Sequence, residues 1–388
     1  MMLNKKIEIL FAVLLFSAAF IYTSLSLNIR DTCHSELVSE SQGTENCHSE
    51  FVSESQGNYS LVEIIFSSSF SKHDYINAGL CTDGINFDKN SAEVILSKKE
   101  IEYLDKSGVD FVVKIPDMEK YYAERLRKSN KRKSDKILEE KYFRHGSMGG
   151  FYKLEEIYSE YKRMQEEFPE YAGEPFLIGK SIEDREIWAY PFGNISGEKP
   201  ETLFTAMHHA REPGGTMVLT YFLWKLMELA RGGNAEAEYL LNERGIWAVP
   251  CMNPDGLKYN QDQMPGGGGL WRKNRRLNED NSYGVDLNRN YGPYEFWNAP
   301  NEGSSEEPSK FDYRGTSPFS EPETRAVRDF CLSRDFRTAM NFHTFGAIFI
   351  FPWGVHDRET PDSLLYRALG REISQENNYA FGITMQTL

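Results

Sequence analysis

Thr202-Leu203-Phe204-Thr205-Ala206-Met207-His208-His209-Ala210-Arg211-Glu212-Pro213-Gly214-Gly215 is an apolar run that closes on histidine and glutamate and then opens onto a helical pattern. A strand that ends in His-x-x-Glu and turns straight into a helix puts an imidazole and a carboxylate on one short, stiff loop. These are zinc's usual nitrogen and oxygen donors, and a catalytic zinc takes three protein ligands so that one position stays open. His209 and Glu212 therefore need a third ligand from elsewhere in the chain. His-x-x-Glu alone arises often by chance, so the reading depends on what the remaining sequence supplies.

At 388 residues the chain is long enough for two folded units with additional segments. Its net charge of −14 argues against a nucleic-acid partner. The five cysteines stand at 33, 47, 81, 251 and 331 with no CxxC pair, which excludes thiolate zinc sites and dithiol redox motifs. Cys251 and Cys331 lie in apolar contexts and read as buried small hydrophobes rather than a bridge.

Upstream of the opening stretch the composition changes several times. Lys5-Lys6 followed by an apolar run makes residues 1–27 a signal peptide or a membrane anchor, and the chain an exported one, whether secreted, periplasmic or membrane-anchored. Residues 28–60 hold a repeat, CHSELVSESQG at 33–43 and CHSEFVSESQG at 47–57, too polar to bury a core and so expected to be disordered. Residues 61–122 read as a small α+β unit, with strands at 61–66, 92–96 and 109–115 and a capping box at Ser97–Glu100 opening a helix over 101–107. Residues 123–145 form a linker dense in Lys and Arg, an accessible substrate for trypsin-like proteases.

The main domain spans 146–388. Helices are expected at 154–168, 213–231 and 235–241, a hairpin at 178–190, and strands at 202–208 and 245–250. Strands alternating with helices argue for an α/β layered domain with a mixed or parallel sheet. Four further stretches follow: Asn253-Pro254-Asp255-Gly256 directly after a strand, Trp271-Arg272-Lys273, Gly284-Val285-Asp286-Leu287-Asn288-Arg289-Asn290, and Thr338-Ala339-Met340-Asn341-Phe342-His343. Singly, each has an ordinary structural explanation as a turn, a solvated loop or a strand end.

In this order they resemble the zinc carboxypeptidases of the carboxypeptidase A/B/T family, over residues 149–388. The resemblance implies a three-layer α/β/α zinc-exopeptidase-like domain with a mixed sheet, preceded by an α+β activation segment at 61–122. It implies one Zn2+ held by His209, Glu212 and His343, and Arg272 polarising the scissile carbonyl. Asn288 and Arg289 would hold the substrate's terminal carboxylate, with Arg211 as a further substrate-binding arginine. The implied activity is zinc-dependent hydrolysis of C-terminal residues from peptides or proteins, in a zymogen opened by an activating protease at the basic linker. Ile350 and Gly354 would line the pocket for the terminal side chain. The family's general base is a glutamate on the last strand, after a tyrosine, and Tyr379–Leu388 resembles the stretch just before that tyrosine. The expectation is therefore that 1–388 alone lacks the base and the last strand, and is inactive and poorly soluble. Glu359, Glu372 and Glu376 follow His343 but lie on or beside a predicted helix, and none takes the base's place. Two alternatives share the ligand set: a zinc amidohydrolase acting on N-acyl amino acids, and a non-catalytic binder of peptide C-termini.

Overall fold

The computed structural model describes residues 59–384 except 79, 82–84, 122–123, 125–140, 197–198, 300–302, 345, 356–357 and 376. The expected leader, the repeat-bearing insert, most of the basic linker and Glu376 thus lie outside the described residues. Among the described residues no helix is long and apolar enough to cross a membrane.

Residues 59–115 give β1 (Tyr59–Ile65), α1 (Lys72–Asn77), β2 (Asn86–Phe87), β3 (Ser91–Ser97), α2 (Lys98–Lys106) and β4 (Phe111–Ile115). The strands form an antiparallel sheet in the order β2-β3-β1-β4. Period-two patterning turns Val62, Ile64, Val94 and Leu96 inward, where they pack with Leu104 and Tyr75. Ser97 caps α2, and the Glu100 carboxylate accepts from the Ser97 N–H at 2.8 Å, so the capping box forms. The helix starts three residues earlier than expected, because the box fixes Lys98 as its first residue. Gly108, at φ 66°, ends it, and the Val109 N–H turns back to the Leu104 carbonyl. That return keeps Val109 and Asp110 out of β4.

The second unit runs through α3 (Leu154–Glu167), β5 (Phe176–Lys180), β6 (Glu186–Gly193), β7 (Glu201–Ala206), α4 (Pro213–Arg231), α5 (Ala235–Glu243), β8 (Gly245–Val249) and α6 (Pro254–Gln263). It continues with α7 (Tyr294–Trp297), α8 (Pro322–Leu332), β9 (Phe336–Phe342), β10 (Ile348–Ile350), α9 (Ser363–Ser374) and β11 (Ala380–Gly382). A five-stranded mixed sheet has the order β5-β6-β8-β7-β9, parallel across β8-β7-β9 and antiparallel at β5-β6-β8. One face carries α3, α4 and α5 over Phe192, Phe204, Ile246 and Ala248; the other carries α8, whose Ala326, Val327 and Phe330 pack on Ile187, Leu203, Trp247 and Val249. The result is three layers, α/β/α. β10 and β11 form a separate parallel pair beside α9.

Helix α4 is buried along nearly its whole length, as its apolar sequence requires, and Pro213 occupies its first turn, where no N–H is needed. Glu160 of α3 is buried against it but satisfied: its carboxylate pairs with Arg163 at 2.5 Å and accepts from the Trp224 indole at 3.3 Å. β7 stops at Ala206, short of the expected 208, because Met207 sits at φ 63° and turns the chain out of the sheet. β9 begins earlier than expected, at Phe336, since Glu201 of β7 already pairs with it there. Asn253-Pro254-Asp255-Gly256 opens α6: the Asn253 side chain accepts the Gly256 N–H and Pro254 is the first helical residue.

Candidate metal centre and substrate clamp

Because β7 and β9 run parallel with Ala206 beside Phe342, the residues that follow them emerge at the same end of the sheet. His343 is the first residue after β9, and His209 stands on the turn after β7. Glu212 is the residue from which α4 starts. One coordinating atom from each of His209, Glu212 and His343 lies within 4.8 Å of the others. His209 Nδ1 is 2.7 Å from Glu212 Oε1, His343 Nδ1 is 2.8 Å from Glu212 Oε2, and the two Nδ1 atoms are 3.2 Å apart. His209 and Glu212 are buried, while His343 opens to solvent.

Two imidazole nitrogens and one carboxylate are a donor set that suits zinc with an open fourth position. The electrostatics suit a cation as well. Burial disfavours a charged His209 ring, yet Glu212 and Asp286 outweigh it and raise its pKa to about 9. Glu212, which burial alone would raise, is instead held far below the carboxylate range by His209 and His343. The two carboxylates that favour a positive charge on the His209 ring favour a cation beside it in the same way. On the far side of the ring, His209 Nε2 lies 3.2 Å from Asp286 Oδ1. A carboxylate behind a ligating histidine fixes the tautomer that leaves the other nitrogen free to coordinate.

Asp286 is fully buried and grips Arg272 as well, accepting from Nε at 3.0 Å and Nη2 at 2.7 Å. Arg272 is itself buried, with its guanidinium 5.5 Å from the Phe311 ring. The other Asp286 oxygen caps a single 3-10 turn, Leu287–Arg289, by accepting the Asn288 N–H at 2.9 Å. That turn carries Asn288 to the metal group, with Nδ2 3.5 Å from His343 Nε2. Arg289 stands on the same turn, its Nε donating to the Gly303 carbonyl at 2.6 Å. Arg211, between the two ligands of the first loop, points toward the N-terminal unit, where Nη2 lies 3.9 Å from Cys81 Sγ. His209, Glu212, His343, Arg272, Asn288, Arg289 and Arg211 thus lie at one end of the sheet.

Other residues at this end carried no distinguishing signal in the sequence. The Asp286 side chain joins Arg272 to His209, but its partners lie in distant stretches of the chain. His208 stacks on His343, with ring centroids 5.7 Å apart, and its Nε2 is 2.9 Å from the Tyr291 hydroxyl. Burial and the two neighbouring histidines lower its pKa to about 3, so it is neutral at physiological pH. Cys81 comes from the N-terminal unit. Further along, Glu359 pairs with Arg367 at 3.0 Å, and Glu372 lies on α9 with its carboxylate on Gln375. Ile350 ends β10 partly exposed, and a side chain on Gly354 would approach Thr384 at 3.7 Å and nothing else among the described residues within 4 Å.

The sequence model described as zinc carboxypeptidase matches residues 157–384. Metallocarboxypeptidase A-like protein of Trichophyton verrucosum is 35% identical over 182 residues, covering 45% of this chain and 40% of the relative. Carboxypeptidase A4 of Mus musculus is 30% identical over 220 residues, covering 55% of this chain and 50% of the relative. The chain thus spans half or less of the length of these curated relatives. In fold, it superposes on the crystal structure of carboxypeptidase A from Helicoverpa armigera with a TM-score of 0.66 at 22% identity, covering 86% of this chain and 83% of that one.

Proposed function

Because the chain belongs to the zinc carboxypeptidase family, we propose that it removes C-terminal residues from peptides, as an exported zymogen. The observation that carries this reading is the convergence of His209, Glu212 and His343 beside Arg272 and Asn288 at one end of the sheet. Zinc bound by the three ligands would polarise the scissile carbonyl and lower the pKa of a coordinated water. Arg272 faces the negative charge that develops on the carbonyl oxygen, and Asp286 holds the guanidinium in place for it. Asn288 and Arg289 take the terminal carboxylate, for which a guanidinium fork beside an amide is a bidentate match. Arg211 adds a second cation on the side from which a peptide enters.

Contacts from the N-terminal unit support the zymogen part of the reading. Cys81 meets Arg211, the Lys310 ammonium donates to the Ala78 carbonyl at 3.3 Å, and Phe311 packs against that unit's own core. A unit seated on Arg211 and Phe311 stands where substrate would approach Arg272. Cleavage in the basic stretch 123–145 would free it, and residues 1–27 would direct export.

The test is mass spectrometry of peptides incubated with the zinc-loaded protein before and after limited trypsin treatment. Stepwise loss of C-terminal residues, absent with amidated peptides and faster after the nick, is the expected result. Cleavage indifferent to amidation would overturn the exopeptidase reading, and a rate unchanged or lowered by nicking would overturn the zymogen reading.

A further inference from the structure

We infer that Asn253 is a positioning residue that ties the metal-binding loop to the Arg272 loop. The inference rests on the function proposed above and deepens it. Asn253 is fully buried at the start of α6, four residues after β8 ends. Its Nδ2 lies 3.2 Å from the carbonyl of His208, 3.3 Å from that of Arg272 and 3.0 Å from that of Lys273. Two N–H hydrogens shared among three carbonyls therefore hold the residue just before His209 together with Arg272 and its neighbour. The two loops are also strapped directly, since the Ala210 N–H donates to the Arg272 carbonyl at 3.0 Å. From the other side, Asn253 Oδ1 accepts the Gly256 N–H at 2.9 Å, which anchors the clip to α6.

The packing leaves no slack. A Cβ at Gly256 would lie 2.7 Å from Ala210 Cβ, 2.7 Å from the Lys273 carbonyl and 2.8 Å from Asn253 Oδ1. Three segments of chain thus meet at one side chain with no room for a methyl group. Buried carbonyls that lose their donor must move or remain unsatisfied. The Arg272 carbonyl keeps the Ala210 N–H, so loss of the Nδ2 donor acts chiefly through the carbonyls of His208 and Lys273, the residues next to His209 and Arg272. A helix-capping role alone predicts something different. Asn, Asp and Ser cap helices about equally well, whereas only Asn presents an NH2 group to the three carbonyls, Ser offers a single hydroxyl, and Asp offers none once ionised.

The experiment compares the parent with Asn253→Ser and Asn253→Asp, each first checked for cooperative unfolding. Zinc affinity, read by competition with a fluorescent chelator, requires no turnover. The expected order is Asn, then Ser, then Asp, with Asp at least about tenfold weaker, as is typical when a group supporting a ligand is lost. For peptide hydrolysis the same order is expected in kcat, with KM within about threefold. The Asp penalty should shrink to under about threefold when Arg272→Ala is already present, because interacting positions are non-additive. Parent and both variants alike in zinc affinity would overturn the link to the metal loop. Additive penalties with Arg272→Ala would overturn the link to Arg272. A parent that binds zinc but hydrolyses nothing would instead sink the carboxypeptidase reading, and the zinc series would still decide whether Asn253 acts as a clip. If Asn253→Asp fails to fold, Asn253→Ser supplies the same two comparisons with a smaller expected effect.

Discussion

The Arg272 guanidinium is gripped by the Asp286 carboxylate through two N–H groups, at 3.0 and 2.7 Å, while the other Asp286 oxygen lies 3.2 Å from His209 Nε2. Burial pushes the Asp286 carboxyl up, but Arg272 and His209 outweigh it and hold it well below the ordinary carboxylate range. Asp286 is thus a fixed negative charge shared by His209 and Arg272. Asp286→Asn keeps the shape and removes the charge, so zinc affinity should fall by about 10- to 100-fold. Chelator competition measures it. An affinity within twofold of the parent would show that His209 needs no carboxylate behind it.

Arg272→Ala tests the proposed role of this guanidinium, that it faces the developing oxyanion. Loss of one such group costs about 3 kcal/mol, roughly a hundredfold in kcat. KM should change much less, because the group acts in the transition state rather than in ground-state binding. The variant also leaves Asp286 buried without its guanidinium, and breaking a buried pair costs about 3–5 kcal/mol of stability. Steady-state kinetics are therefore best taken well below the lowered unfolding midpoint. A defect confined to KM would reassign Arg272 to substrate binding.

Much of this arrangement was legible in the sequence, for definite physical reasons. An apolar run followed by Pro213-Gly214-Gly215 reads as a buried strand turning into a helix, and the structure has β7 and α4 there; the turn at Met207 that ends the strand early was not legible, since methionine continues the apolar run. The strand ending at His343 was readable in the same way. Strand order was not: periodicity tells which faces are buried but not which neighbour covers them, so nothing announced β8 between β6 and β7. Contacts between distant residues were equally silent. Asn253 reads as the start of a turn until its amide is seen against the carbonyls of 208, 272 and 273. Cys81 carries no signal in the sequence beyond its place in the cysteine count, and its contact with Arg211 appears only in the fold.

Behind the Arg272 loop, Glu323 is fully buried, and it accepts the Ile182 N–H at 3.1 Å and an Asn274 N–H at 3.3 Å. Burial, joined by the nearby Glu321 and Asp255 charges, raises its pKa from 4.5 to about 7. Its folded-state pKa therefore lies above its unfolded value, and between the two the folded state binds more protons. Stability from this group is fully present below the unfolded pKa and is lost as pH rises toward 7. Unfolding midpoints should fall between about pH 4.5 and 7, and Glu323→Gln should flatten that part of the profile. Urea titrations at several pH values measure it, and an unchanged slope in the variant would place the titration elsewhere.

Gly215, in the first turn of α4, packs directly against the end of β9, the strand that leads into His343. A Cβ there would lie 2.8 Å from the Phe342 carbonyl oxygen and 3.1 Å from its carbon, both backbone atoms that cannot rotate away. Phe342 directly precedes His343, and Glu212 directly precedes α4, so the two elements that approach at Gly215 are the two that carry ligands. In a solvent-exposed helix, Gly→Ala stabilises by roughly 0.5–1 kcal/mol. Here the methyl group must push α4 and β9 apart, and the displacement passes straight to the 2.8 Å contact between Glu212 and His343. Gly215→Ala should therefore lower both the unfolding midpoint and zinc affinity. Exposed Gly232→Ala, at the far end of the same helix, has only the 3.3 Å and 3.4 Å carbonyls of its own helix to meet and should leave zinc affinity unchanged. Calorimetry with and without zinc separates the two effects. Gly215→Ala binding zinc as tightly as the parent would mean that the helix and strand can part without moving their ligands.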